Sequence, residues 1–230
     1  MKAGDVVSYL EMCAVRGVNL QRGMNFRLGG QSSLILMSLR HGAPYADRIE
    51  NAGRILVYEG HDVPRTTAIP EPKRVDQEAF LPSGKATQNG LFMQAVENYK
   101  KGVAGPELVE VFEKIRPGIW VYNGLFQLID AWQEKAAIRK VFKFKLQIID
   151  QLVQEGYQER PTQDHDRIIP SSVKIEVWKR DGGKCVQCGT KENLHFDHII
   201  PYSEGGSSKD PRNIQILCGR HNIQKSDRIQ

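Results

Sequence analysis

Cys185-x-x-Cys188 and Cys218-x-x-His221 form two short knuckles about thirty residues apart. Each places two soft ligands on one tight turn, and the two turns together close a tetrahedral shell around zinc. Four protein ligands leave no coordination position for water, so such an ion is structural. A unit of about sixty residues has too little core to stand alone, and the ion offsets that deficit. His195 is the competing fourth ligand. His221 is preferred because its spacing from Cys218 repeats that of the first knuckle. Cys13 has no partner and reads as a small buried residue.

Three of the four cysteines lie in the last quarter of the chain, and the N-terminus shows no apolar h-region. Both features argue against a disulfide framework and for a cytoplasmic protein. No apolar run has the length needed to span a membrane. A net charge of +5 and a pI near 9.0 are compatible with a polyanionic partner.

The stretch Gly156 to Pro170 is polar and bounded by Gly and Pro, so it reads as a linker between domains at 1–155 and 171–230. The first domain reads as strand-rich. Short apolar runs occur at 33–38, 54–58, 118–122 and 124–129, and Val141 to Leu146 alternates with period two. Asn89 to Lys101 has helical spacing, with Leu91, Ala95 and Tyr99 on one face. A curved sheet or barrel with one or two helices fits this order. The second domain opens on a helix from Ser172 to Arg180, capped by Ser171 or Ser172. Short strands at 194–196 and 198–200, a Ser/Gly-rich loop and a last helix over 219–227 follow.

Between the knuckles lies Leu194-His195-Phe196-Asp197-His198-Ile199-Ile200-Pro201. Gly205-Gly206, Asn213-Ile214-Gln215-Ile216-Leu217-Cys218 and His221-Asn222-Ile223-Gln224-Lys225 follow. This order resembles the HNH nuclease family, with its ββα-metal fold, over residues 172–230. The resemblance implies that Asp197 and Asn222 hold a catalytic divalent cation. It also makes His198 the general base, with Asn213 bracing the loop and orienting that base. Cys185, Cys188, Cys218 and His221 match the zinc-binding subset of the family. Asp197 stands where the family's first His lies, a common variant. The chemistry is consistent: a histidine with a pKa near 6.5 can deprotonate water at neutral pH. Mg²⁺ prefers oxygen ligands, which Asp197 and the Asn222 amide supply; Mn²⁺, Ni²⁺ or Co²⁺ are the alternatives. The family resemblance implies 5′-phosphate and 3′-hydroxyl products. Lys225 is a candidate phosphate contact.

The first domain carries Leu28-Gly29-Gly30-Gln31-Ser32-Ser33, Pro44-Tyr45-Ala46-Asp47-Arg48, Ile55 to Asp62, Thr87-Gln88-Asn89-Gly90-Leu91 and Tyr122-Asn123-Gly124-Leu125-Phe126. Over about residues 10–150 these resemble the SRA (YDG) family, a PUA-like curved β-barrel that reads modified cytosine by flipping it from the duplex. Asn123 and Phe126 depart from the Tyr-Asp-Gly-x-Tyr signature. A flipped base needs flat side chains on its faces and hydrogen bonds on its Watson–Crick edge. Tyr45 and Tyr58 are the candidates for stacking, and Asp47 for accepting from the cytosine amino group. Asp47 is followed by Arg48 where the family has paired acids, which leaves the edge-reading acid open. Asn19 and Arg22 are candidate DNA contacts.

The fold class implied is α+β: an N-terminal SRA-like domain joined to a small zinc-bearing HNH domain. The function implied is modification-dependent, type IV-like cleavage of double-stranded DNA at 5-methylcytosine or 5-hydroxymethylcytosine. This would suit bacterial defence against modified phage DNA. Cutting both strands calls for two HNH sites, hence a homodimer or two copies that meet on DNA. Two alternatives compete: a nuclease whose first domain binds DNA without specificity, and a modified-base reader with a silent HNH module.

Overall fold

Period-two alternation between Arg139 and Ile148 puts Phe142, Phe144 and Leu146 on one side of a strand, and all three are buried. The computed structural model of the chain describes residues 1–20, 23–30, 32–51, 53–149, 168–201 and 204–226. The architecture is α+β, with one large sheet and few helices.

The first unit runs β1 (Val6–Val7), α1 (Tyr9–Arg16), β2 (Met24–Asn25), β3 (Ser33–Met37), β4 (Arg48–Glu50), β5 (Ile55–Glu59), α2 (Gln88–Lys100), β6 (Glu107–Arg116), β7 (Ile119–Ala136) and β8 (Arg139–Ile148). These strands make one eight-stranded sheet in the order β2-β3-β6-β7-β8-β5-β4, with β1 paired to β7. β3 and β6 run parallel; the other neighbours are antiparallel. Register shifts at Val111/Phe112, Lys114/Arg116 and Leu128/Asp130 mark bulges, which bend strands.

One face of the sheet packs Ile35, Leu56, Tyr58, Val111, Phe126, Phe144 and Leu146 against Phe92 and Val96 of α2. The other packs Leu34, Leu36, Phe112 and Tyr122 against Met12 of α1. Helix α1 begins on a capping box between Ser8 and Glu11, which satisfies two otherwise unpaired backbone N–H groups.

Two sequence expectations are corrected here, and one strand is added. The runs at 118–122 and 124–129 are one strand, β7, because Gly124 (φ 113°) carries the chain through the bulge beside Val111. Strand β6 was not foreseen: it lies between β3 and β7, and Glu107 and Glu113 interrupt its apolar pattern although both are buried. The buried face of α2 is Asn89, Phe92 and Val96, while Tyr99 is exposed.

The second unit comprises α3 (Ser171–Arg180), β9 (Leu194–His198), β10 (Ile214–Cys218) and α4 (Gly219–Lys225), with β9 and β10 antiparallel. Pro170, not a serine, stands at the α3 N-cap, and the Ser171 hydroxyl donates to Glu113 of β6. Residues 156–167 of the expected linker lie outside the described residues. Ile168 and Ile169, which follow, are both buried: Ile168 joins the core of the large sheet and Ile169 that of the second unit. Among the described residues, no helix is long and apolar enough to cross a membrane.

Candidate functional site

The β9–β10 hairpin presents most of the candidate chemistry. Leu194 and Phe196 of β9 enter the core, while Asp197 lies opposite Gln215 and His198 opposite Ile214. Cys218 ends β10 and begins α4, which carries His221 and Asn222 on its first turn. The other knuckle closes on Gly189 (φ 74°), whose N–H donates to the Cys185 carbonyl at 2.8 Å. The Val186 N–H donates to Ile216, tying this knuckle to β10.

Ligand atoms of Cys185, Cys188, Cys218 and His221 all lie within 4.8 Å of one another. The Cys188 and Cys218 sulfurs are 3.8 Å apart, and His221 Nδ1 is 3.3 Å from Cys185 and 3.4 Å from Cys218. Zn–S bonds of ~2.3 Å in a tetrahedron need sulfurs about 3.8 Å apart, so this Cys₃His cluster is compatible with a structural zinc. His195 is engaged elsewhere: its Nδ1 is 2.6 Å from Asp5 and its Nε2 is 3.1 Å from Asn193.

Asp197 is partly buried. Its Oδ2 accepts from Gln215 at 3.2 Å and lies 3.2 Å from the Lys225 ammonium. Burial raises its carboxyl above the usual range, against the opposing pull of Lys225 and Gln215. His198 Nε2 is 2.8 Å from the Ser208 hydroxyl. Burial, aided by the Lys225 charge, lowers its pKa to about 4, which keeps the imidazole neutral at pH 7 while making it a weaker base than a free histidine. Asn213 braces the intervening loop: its Oδ1 accepts from Ile200 N–H, and its Nδ2 donates to the carbonyls of Ile200 and Ser207. Gly206 sits so close beneath that a Cβ there would be 1.8 Å from the Ile200 oxygen. Asn222 is half-buried beside His221.

Lys225 requires a correction. The sequence suggested a DNA contact, but its side chain is only 1% exposed. The ammonium donates to the His198 carbonyl at 2.6 Å and faces Asp197. A cation held between an acid and a carbonyl is not available to phosphate. Asn19 is exposed. Arg22 lies outside the described residues.

In the first unit, Tyr45, Asp47 and Tyr58 converge where the loop before β4 meets β5. Asp47 accepts from Glu59 N–H at 3.0 Å and Ser38 N–H at 3.3 Å. Burial pushes its carboxyl up to about 6 despite those donors. Tyr58 is fully enclosed, and its phenol lies well above the usual range through burial and the neighbouring Asp47 and Tyr45. Tyr45 is half-buried, with the Lys73 ammonium 3.7 Å from its ring centroid.

An ion network that the sequence reading missed supports this corner. Glu59 pairs with Arg139 and Lys143, and Asp62 pairs with Arg139 and Lys73. Lys143 donates to the Ala46 carbonyl, Ala46 N–H donates to Glu59, and Lys73 donates to the Pro44 carbonyl. No local sequence signal announces it, because the cross-strand pair Glu59–Lys143 becomes visible only once β5 is paired with β8.

Fold and site together define an α+β protein whose C-terminal unit is an HNH endonuclease domain, a metal-dependent DNA-cutting module. Residues 185–228 match the model of the HNH endonuclease family. No curated protein matches the chain. Among solved structures, the chain is similar to the modification dependent TagI restriction endonuclease. The two share 19% identity over 97% of this chain and 76% of the other, with a TM-score of 0.41. It is also similar to the SUVH5 SRA domain with hemi-methylated CG DNA, at 23% identity over 70% of this chain and 94% of the other, TM-score 0.45. The structure of KRYPTONITE with mCHG DNA is matched at 19% identity over 72% of this chain and 34% of the other, TM-score 0.41.

Proposed function

We propose that the protein is a modification-dependent endonuclease that reads 5-methylcytosine or 5-hydroxymethylcytosine in duplex DNA and hydrolyses a nearby phosphodiester. The observation that carries this reading is the pairing of two equipped corners in one chain. One holds Asp197, His198, Asn213 and Asn222 beside the Cys₃His cluster. The other gathers Tyr45, Asp47 and Tyr58 over a buried ion network.

In the nuclease unit, neutral His198 takes the proton of the attacking water, steadied by Ser208 and by the loop that Asn213 braces. Asp197 and the Asn222 amide are the hard oxygen donors for a divalent cation, Mg²⁺ or Mn²⁺, with Ni²⁺ or Co²⁺ as substitutes. Bound there, the cation supplies Lewis-acid stabilisation of the phosphate and the leaving 3′ oxygen. Lys225 offsets the Asp197 charge from the inside. The zinc held by Cys185, Cys188, Cys218 and His221 keeps the hairpin and α4 in register.

In the reading unit, Tyr45 is the more accessible stacking face and Tyr58 closes the inner wall. Asp47, when ionised, accepts from the exocyclic amino group of a flipped cytosine. Lys143, Glu59 and Lys73 hold the Pro44–Asp47 loop in shape by the bonds described above. Two copies acting together would cut both strands, consistent with a role in bacterial defence against modified phage DNA.

Matched plasmids carrying cytosine, 5-methylcytosine or 5-hydroxymethylcytosine provide the test, with the His198→Ala and Tyr45→Ala variants alongside. Cleavage confined to modified plasmid, lost in His198→Ala and weakened in Tyr45→Ala, is the expected result. Equal cutting of all plasmids would instead favour nonspecific DNA binding by the first unit. No nicking with any divalent cation would favour a silent reader.

A further inference from the structure

Lys174 of α3 is 2% exposed, an unusual place for a lysine. Its ammonium donates to Glu113 Oε2 of β6 at 2.7 Å and to Asn123 Oδ1 of β7 at 2.6 Å. Asn123 Nδ2 donates back to Glu113 at 3.1 Å. Glu113 and Asn123 are 1% and 3% exposed. The triad therefore crosses from the nuclease helix to two central strands of the reading sheet. Asn123 is the middle residue of the Tyr122-Asn123-Gly124 signature, so here that position serves the junction.

The surroundings are equally specific. Ile115 and Val121 of the sheet share one core with Ile169, Val173, Val177 and Phe196 of the nuclease unit. A second tether joins the chain start to β9: the Gly4 carbonyl accepts from Phe196 N–H at 2.9 Å, and Asp5 meets His195. Gly4 has φ 99°, and a Cβ there would lie 2.6 Å from the Phe196 oxygen. A small cavity of about 80 Å³ at this seam is lined by Tyr122, Asn123, Lys174, Phe196 and His198, among others. The proposed general base thus borders the same crevice as the triad.

Apolar surfaces can slide past one another at small cost. A buried ion pair cannot, because displacement strands each charge without a partner. We infer that the Glu113–Lys174–Asn123 junction sets the distance between the modified base and the bond that is cut, making these residues positional determinants of cleavage. This rests on the proposed function. It implies a fixed reach from the base-reading corner to His198, where two domains on a free linker would sample many.

The experiment uses the full-length protein and duplexes bearing one 5-methylcytosine at a defined place, with cut positions mapped at nucleotide resolution. Lys174→Met and Glu113→Gln are compared with the parent and with the charge-swapped pair Glu113→Lys/Lys174→Glu. Binding of the modified duplex is followed by fluorescence anisotropy and folding by circular dichroism. The parent is expected to cut at one dominant offset. A single variant should keep affinity for the modified duplex while its cuts spread to neighbouring positions, and the swapped pair should narrow the pattern again. An unchanged offset in either folded single variant overturns the inference, as does a parent that already scatters its cuts. Parental cutting that ignores the methyl group would overturn the proposed function itself, and the unmodified duplex reveals that case separately.

Discussion

The Lys225 ammonium stands 3.2 Å from the Asp197 carboxylate, with the lysine side chain 1% and the aspartate side chain 14% exposed. The pair lies at the floor of the nuclease site, where Asp197 also meets Gln215. Removing one partner of such a pair leaves a charge without compensation. Lys225→Met should therefore destabilise the protein by about 3 kcal/mol in metal-free buffer. Added Mg²⁺ should recover part of that loss, because the cation takes over the electrostatic task. Thermal melts with and without Mg²⁺ test this; an equal Mg²⁺ response in parent and variant would refute it.

Zinc removal should have a different signature from loss of the catalytic cation. The Cys₃His cluster ties both knuckles to β10 and α4, and binding energy in such sites is folding energy of about 10 kcal/mol. Chelation, or Cys218→Ser, should abolish ordered structure in the nuclease unit. It should also loosen Ile115 and Val121, which share its core. Only zinc, not Mg²⁺, should restore the circular dichroism of chelated protein. A zinc-free protein with the parental melting curve would contradict this.

His61 makes stability depend on acid. Its Nε2 accepts from Met24 N–H at 2.6 Å, so protonating that nitrogen breaks the bond. Burial lowers its pKa from 6.5 to about 4, with Asp62 opposing. A group depressed in the folded state contributes fully above its unfolded pKa. The contribution is then lost as pH falls from 6.5 toward 4. The loss should approach about 3 kcal/mol. In His61→Gln this component of the pH slope should vanish in denaturant titrations; an unchanged slope would exclude His61 as its source.

Gly205 and Gly206 give a matched pair of substitutions. An alanine at Gly206 meets the Ile200 oxygen at 1.8 Å and the Asn213 amide at 2.8 Å. The loop between His198 and Asn213 must then move, and cleavage should fall by about tenfold or more. Gly205 has φ 85° and nothing near its Cβ, so Gly205→Ala should cost only about 1 kcal/mol of backbone strain. Single-turnover rates for the two variants distinguish them; similar losses would mean that the loop contact at Gly206 is not what matters.

The nuclease unit was largely legible in the sequence because its ligands sit at short, fixed spacings. Cys-x-x-Cys and Cys-x-x-His each act within one turn, so local geometry pairs the ligands of each knuckle, and the Val186–Ile216 bond then brings the two pairs together. The helix at 171–180 and the Cys218–His221 turn followed the same local rules. The first unit was less legible. Tyr45, Asp47 and Tyr58 stand out through a family resemblance, but the charges beneath them come from β5, β8 and the segment that follows β5. Strand β6 was missed because Glu107 and Glu113 look like solvent-facing acids until Arg27 and Lys174 are placed beside them.

Sequence by itself determined the four members of the Cys₃His cluster, the order of the HNH residues and the strand-rich character of the first unit. Each depends on contacts within one turn or on one strand's alternation. Tertiary structure alone decided the fate of the lysines. Lys225 turns inward to Asp197, Lys143 lies under Ala46, and Lys174 joins the nuclease to the sheet at Glu113 and Asn123. A lysine reads as surface in any sequence. Only a carboxylate brought close by the fold can compensate the cost of burying its charge.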